Sequence, residues 1–191
     1  MDTPIIIVIP ATSAKYLRMA EAMRASAVRY GWVARFIVVS DVGGDVVVES
    51  SPYGGREYKQ NFADFIPDGY TGPVVMMDAD MLAIGPEPDW HSYTKITVAA
   101  MHEGNMHLPD FYKPLCGFLA DGLMVVCPTV DSAKALCSEW GKDGNYSNGK
   151  QELHSLRMIS NHTPFGKLNS RVEPVADSLK HLDAHTHRNI S

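Results

Sequence analysis

Asp78 and Asp80 stand one residue apart, directly after the apolar run Val74-Val75-Met76-Met77 and directly before Met81-Leu82. Two carboxylates held where a buried strand breaks into a turn can both reach one divalent cation. A hard ion takes such oxygen donors, and Mg²⁺ or Mn²⁺ keeps further coordination positions open for phosphate oxygens. The chemistry that needs an ion there is departure of a nucleoside diphosphate, whose developing negative charge must be neutralised in the transition state. The competing reading of the same pair is a solvated turn that caps the strand.

Five of the eight histidines follow Gly149, at His154, His162, His181, His185 and His187. Neutral imidazole is a common ligand for Mn²⁺ and Zn²⁺. His181 is the first choice for a third ligand, because it ends the last apolar strand signal and Arg188 lies downstream as a phosphate partner. His185 and His187 compete with it, and a solvated histidine-rich tail is the plain alternative. A separate zinc site on these three histidines lacks a nearby cysteine. Asp121, set between Ala120 and Gly122 amid apolar residues, and Glu152 are the remaining carboxylates able to face a donor sugar. Either can act as a general base toward an acceptor hydroxyl or stabilise an oxocarbenium-like centre. Glu152 near a helix start is also favoured by the helix dipole alone. Lys59 and Arg56 can reach a diphosphate, although a basic pair among Tyr53, Tyr58 and Gln60 more often lies at a surface.

These residues need a scaffold, and the apolar pattern supplies one. Ile5 to Ile9, closed by Pro10, reads as a strand buried on both faces, the habit of a parallel sheet covered by helices. Thr12 or Ser13 can cap a helix with apolar positions at Leu17, Ala20, Met23, Ala27 and Val28, stopped by Gly31. Phe36 to Val39 follows as a second buried strand, with Asp41 at its end. In such sheets ligands sit beyond the carboxyl ends of the strands. The stretch around Val46 to Val48, punctuated by glycine and proline, reads as loop-rich. Val74 to Met77, Ile96 to Ala100 and Gly122 to Val126 are further strands. Thr129 can cap a helix to Trp140, with Gly141 after it, and Asn148 with Gln151 starts another through Ile159. Trp90 and Tyr93 are able to stack on a sugar face, but covering the sheet edge is the more ordinary use.

The chain has 191 residues, sized for one domain spanning 1–191, and its 17 Lys plus Arg against 22 Asp plus Glu leave a net charge of −5. That balance provides no global basic field for nucleic acid or anionic lipid, while leaving room for a local basic groove. Cys116, Cys127 and Cys137, at spacings of 11 and 10, fit neither a disulfide framework nor a paired zinc motif and read as reduced core thiols of a cytoplasmic protein. No apolar stretch reaches bilayer length, and no signal peptide is read at the N-terminus.

Val74-Val75-Met76-Met77-Asp78-Ala79-Asp80-Met81-Leu82 resembles the strand plus metal motif of the GT-A type glycosyltransferases, within them the glycogenin and bacterial lipopolysaccharide galactosyltransferase group. Ile5 to Thr12 is similar to the family's first strand, Gly122-Leu123-Met124-Val125-Val126 to its strand beside the sugar, and Leu179-Lys180-His181-Leu182 to its final strand with the metal-binding histidine. The helix containing Glu152-Leu153-His154-Ser155-Leu156 resembles another of its elements. The resemblance implies a single GT-A-like α/β domain, a mixed and mostly parallel sheet with helices on both faces. It implies Mn²⁺ or Mg²⁺ on Asp78, Asp80 and His181, with Asp78 also meeting the ribose. Pro10, Ala11 and Thr12 would cradle the base and Arg188 would meet the diphosphate. Read from the residues themselves, Asp41, Lys59 and Ala79 are further candidates for nucleotide-sugar contacts. Ala120 and Asp121 depart from the family's Asn and Ser or Ala, and Glu152 with Leu153 from its Asp with Gln.

The reading that follows is a metal-dependent transferase moving a sugar from a nucleoside-diphosphate donor, a UDP-sugar by resemblance, to an acceptor hydroxyl on glycan, protein, lipid or a modified DNA base. A catalytically degenerate binding or scaffold protein and a metal-dependent nucleotidyltransferase are the alternatives. The nucleotidyltransferase lacks its usual glycine- and lysine-rich N-terminal loop here. A haloacid dehalogenase-like phosphatase is disfavoured by Leu82 and by the late position of Asp78.

Overall fold

A computed structural model describes residues 4–52, 54–102, 120–142 and 179–181. The β-branched run at the N-terminus forms strand β1 (Ile6–Pro10), buried along its whole length. Without polar alternation such a run can sit only where both faces are covered. Strands β2 (Arg35–Ser40), β3 (Val46–Val47) and β4 (Val74–Met77) lie parallel to it, with β2 on one side of β1 and β4 on the other. β5 (Met81–Ala83) leaves this sheet, while β6 (Thr97–His102) and β7 (Ala120–Cys127) extend it, β7 running antiparallel to both β4 and β6. The result is a six-stranded sheet in the order β3-β2-β1-β4-β7-β6. β5 pairs instead with β8 (Leu179–His181) in a two-stranded ribbon.

Period-two geometry splits each apolar strand between two cores. Ile7, Ile9, Val75, Met77, Met124 and Val126 share one with Ala20, Met23 and Ala27 of helix α1 (Ser13–Arg29). After the short helix α2 (Gly55–Gln60) and a 3₁₀ turn at Phe62–Phe65, the opposite core gathers Ile6, Val8, Val74, Met76, Val125 and Cys127. Helix α3 (Val130–Lys142) closes it with Ala133, Leu136 and the fully buried Trp140. The expected mixed, mostly parallel α/β sheet with helices on both faces is therefore the observed one.

Several local expectations need correction. Neither Thr12 nor Ser13 caps α1 through its side chain; the Ser13 N–H is instead taken by Asp41 Oδ1 at 2.7 Å. Val28 is 65% exposed, because α1 turns only Met19, Ala20, Met23 and Ala27 fully inward. The stretch read as loop contains β3, which a short parallel pairing to β2 stabilises at the sheet edge. α3 runs on through Gly141 to Lys142, its start held by Thr129 and Ser132, each accepting the other's backbone N–H at 3.1 Å. Trp90 is buried at 1% exposure against Trp32, so it packs in the core and offers no face to a sugar. Cys127 and Cys137 are buried free thiols, as expected of small apolar core residues. The helix through Ile159, together with Cys116, lies outside the described residues. Among the described residues, no helix is long and apolar enough to cross a membrane.

Candidate functional site

Chain order reverses at β1: the strands that follow it directly are added on one side, and β4 is added on the other. In open α/β sheets ligands bind beyond the carboxyl ends of the strands at such a reversal. Pro10, Ala11 and Thr12 stand at the end of β1, Asp41 just past β2, and Asp78, Ala79 and Asp80 just past β4. Because β7 is antiparallel to β4, its first residues, Ala120 to Gly122, arrive at this same end of the sheet.

Asp78 is the buried centre of the arrangement, at 6% exposure. Its backbone N–H donates to the Leu123 carbonyl at 3.0 Å, and its Oδ2 accepts the Leu123 N–H at 2.7 Å. The β4–β7 ladder is thus carried one residue further by a side chain. Lys59 Nζ lies 2.6 Å from the other oxygen, Oδ1. Burial pushes the Asp78 carboxyl up from its ordinary value, the Lys59 ammonium pulls it back, and the charge of Asp80 raises it again.

Lys59 reaches this position because α2 is seated on the end of β1. Gly54 has φ +65°, and a methyl group on Gly55 would come within 3.3 Å of the Thr12 hydroxyl, so glycine permits the close approach. Glu57 accepts from the Ser51 hydroxyl at 2.5 Å and Tyr58 donates its hydroxyl to the Glu49 carbonyl, fixing the helix from its other side. Lys59 is consequently no surface residue of a solvated pair: its side chain is 18% exposed and joined to Asp78. Gln60 beside it is also buried, at 1% exposure, and its side-chain oxygen has no hydrogen-bond partner. Both facts depend on how α2 is docked, which no local sequence signal shows.

Asp41 does not stand open at the end of β2, since it holds the Ser13 N–H. Ser13 has φ 81°, the single positive value at a non-glycine among the described residues. Backbone of that kind costs about 1–3 kcal/mol and persists where surrounding structure imposes it.

The turn after Asp78 passes Asp80, half-buried, and enters β5, whose Ala83 N–H donates to Ser26 Oγ of α1 at 2.9 Å. In the β5–β8 register, Met81 lies opposite His181, so the backbone of the tail histidine is brought beside the residue that follows Asp80. Among the described residues, no three His, Cys, Asp or Glu side chains form a ready metal cluster. The donor set that the backbone brings to this turn, two carboxylates and a histidine, has the chemistry of a Mn²⁺ or Mg²⁺ site. Asp121 is placed near the start of β7. Glu152, His185, His187 and Arg188 lie outside the described residues.

Comparison with solved structures finds similarity to the apo form of the glycosyltransferase GlyE of Streptococcus pneumoniae TIGR4, at TM-score 0.52 and 14% sequence identity. The fold is glycosyltransferase-like. The match covers 83% of this chain and 43% of that one, so the chain spans less than half the length of the neighbour. At this identity the likeness concerns the fold alone. No family model matches the chain, and no curated protein sequence does.

Proposed function

We propose that this protein is a metal-dependent glycosyltransferase that moves a sugar from a nucleoside-diphosphate donor, a UDP-sugar, to an acceptor hydroxyl. The observation that carries the reading is the Asp78–Asp80 turn, set at the strand-order reversal of a glycosyltransferase-like sheet and anchored on both sides by β7 and α2. Carboxylates placed there meet a diphosphate in the crevice where such sheets bind nucleotides.

Asp80 and His181 would hold Mn²⁺ or Mg²⁺, with Asp78 beside them. The ion, when bound, neutralises the charge that develops on the departing diphosphate. Pro10 to Thr12 and Asp41, at the ends of β1 and β2, would meet the nucleotide, and the backbone at Ala79 would face its phosphates. Arg188 would supply a further cation for them. Asp121 is the first candidate to take the acceptor proton as the acceptor oxygen bonds to the anomeric carbon and the bond to the diphosphate breaks. Glu152 is the second. In a retaining reaction the same carboxylates would instead stabilise the oxocarbenium-like centre.

Thermal unfolding against UDP, GDP, CMP and their sugars, each with and without Mn²⁺, tests the proposal. A ligand at about 100 times its Kd stabilises the native state by about 2.7 kcal/mol. The expected result is a Mn²⁺-dependent rise in Tm with a uridine nucleotide that disappears in Asp80→Ala. No shift with any nucleotide would instead support a binding or scaffold role for the chain.

A further inference from the structure

The Lys59 ammonium is a buried cation set against one aspartate of the candidate metal turn. Lys59 Nζ sits 2.6 Å from Asp78 Oδ1, while Asp78 Oδ2 is committed to the Leu123 N–H at 2.7 Å. Both oxygens of Asp78 are therefore engaged, one by a full positive charge, and the side chains of the pair are 18% and 9% exposed. Solvent does little to screen a charge in such a place. The position of Lys59 is imposed from outside the turn, by the docking of Gly55 against Thr12 and Pro10 at the end of β1.

We infer that Lys59 is a resident counter-ion of the Asp78–Asp80 turn, holding Asp78 as an anchor to β7 and weakening the turn's uptake of a divalent cation until an anionic diphosphate arrives with it. This rests on the glycosyltransferase reading for the identity of the cation and of the diphosphate. Within the turn, Lys59 offsets one of the two carboxylate charges that a metal ion would meet. Entry of a divalent ion then places like charge next to the ammonium. A diphosphate brings the negative charge that offsets both cations, so metal and nucleotide enter as a pair. Lys59 acts through Asp78 and through the local charge, and it is a positioning residue in this sense.

The test is direct Mn²⁺ binding, followed by electron paramagnetic resonance of the free ion, with no nucleotide present. Lys59→Gln keeps a hydrogen-bond donor for Asp78 without the charge, Lys59→Met removes both, and Lys59→Arg keeps the charge. Removing a unit charge a few ångströms from a divalent ion changes its affinity on the order of tenfold, even with strong screening. Lys59→Gln is expected to bind Mn²⁺ about that much tighter than the wild type, with Lys59→Arg as weak as the wild type. Lys59→Met follows Lys59→Gln if it folds, which circular dichroism checks, and the Gln variant decides the matter if it does not. Equal or weaker Mn²⁺ binding by Lys59→Gln overturns the inference, as does an Arg variant that binds as tightly as the Gln variant. The same titration with UDP separates the two levels. A wild type whose Mn²⁺ uptake is indifferent to nucleotides argues against the glycosyltransferase reading and overturns the paired entry of metal and diphosphate, while tighter binding of Mn²⁺ alone by Lys59→Gln still upholds Lys59 as the counter-ion.

Discussion

The backbone N–H of Ser13 donates to Asp41 Oδ1 at 2.7 Å, and this bond ties the start of α1, just past β1, to the end of β2. It also holds Ser13 at φ 81°, where α1 begins without a side-chain cap. Asp41 thus does for α1 what an N-cap residue would do, from a distant point in the chain. Asp41→Ala is expected to lower stability by about 1 kcal/mol, the usual net worth of such a bond. Urea unfolding measures the loss, and the nucleotide-dependent rise in Tm should shrink with it. A variant as stable as the wild type would show that the Ser13 conformation is held by other means.

Helix α1 allows a paired test of the two-core packing. Met23 is fully buried against the sheet, whereas Val28 on the same helix is 65% exposed. Met23→Ala should cost about 2–5 kcal/mol through lost burial and the cavity left behind. Val28→Ala should stay within about 0.5 kcal/mol of the wild type, since alanine is the better helix former. Reversed magnitudes would mean that α1 is rotated about its axis.

Gln60 places an amide oxygen in the interior without a hydrogen-bond partner. Burying such a group costs free energy that an apolar side chain of similar shape does not. Gln60→Met is expected to raise stability by about 1 kcal/mol, read as a higher urea midpoint at an unchanged slope. A loss of stability would reveal a partner for the amide in solution.

Burial pushes the Cys137 thiol up from about 9 to about 12 and raises Cys127 well above its ordinary range. The unfolded chain then releases the Cys137 proton from about pH 9 upward, while the folded chain keeps it until near pH 12. Stability conferred by the buried neutral thiol is full below the lower value and is lost as pH rises through this window. Urea unfolding across that range should show a decline that Cys137→Ala makes shallower. At neutral pH both native thiols should react slowly with alkylating reagents and quickly once urea unfolds the chain.

Much of the scaffold is legible from residue types alone, because a strand covered on both faces needs an unbroken apolar run. Ile5 to Ile9, Val74 to Met77 and Gly122 to Val126 are such runs, and apart from Ile5, which precedes β1, each lies in a strand of the main sheet. A continuous run carries no record of which side chains face which helix. The division of Ile7 and Ile9 from Ile6 and Val8 emerges only when α1 and α3 cover opposite faces. Polar and glycine-rich stretches carry weaker signals still, which is why β3 reads as loop: its two residues are strand only through pairing with β2.

The same division runs through the candidate site. Asp78 and Asp80 are conspicuous in the sequence because carboxylates seldom follow a buried strand, and their placement beyond β4 needs no long-range knowledge. The order β3-β2-β1-β4 and the side of β1 on which β4 joins are decided by tertiary packing, and they bring the ends of β1 and β4 side by side. Lys59 at Asp78, Asp41 at Ser13 and His181 opposite Met81 are all contacts between segments far apart in the chain. Local propensity and periodicity act over a few residues, so they set which side chains are available. Which of them meet depends on how whole elements dock, and here the docking of α2 on β1 turns an ordinary lysine into the partner of the buried aspartate.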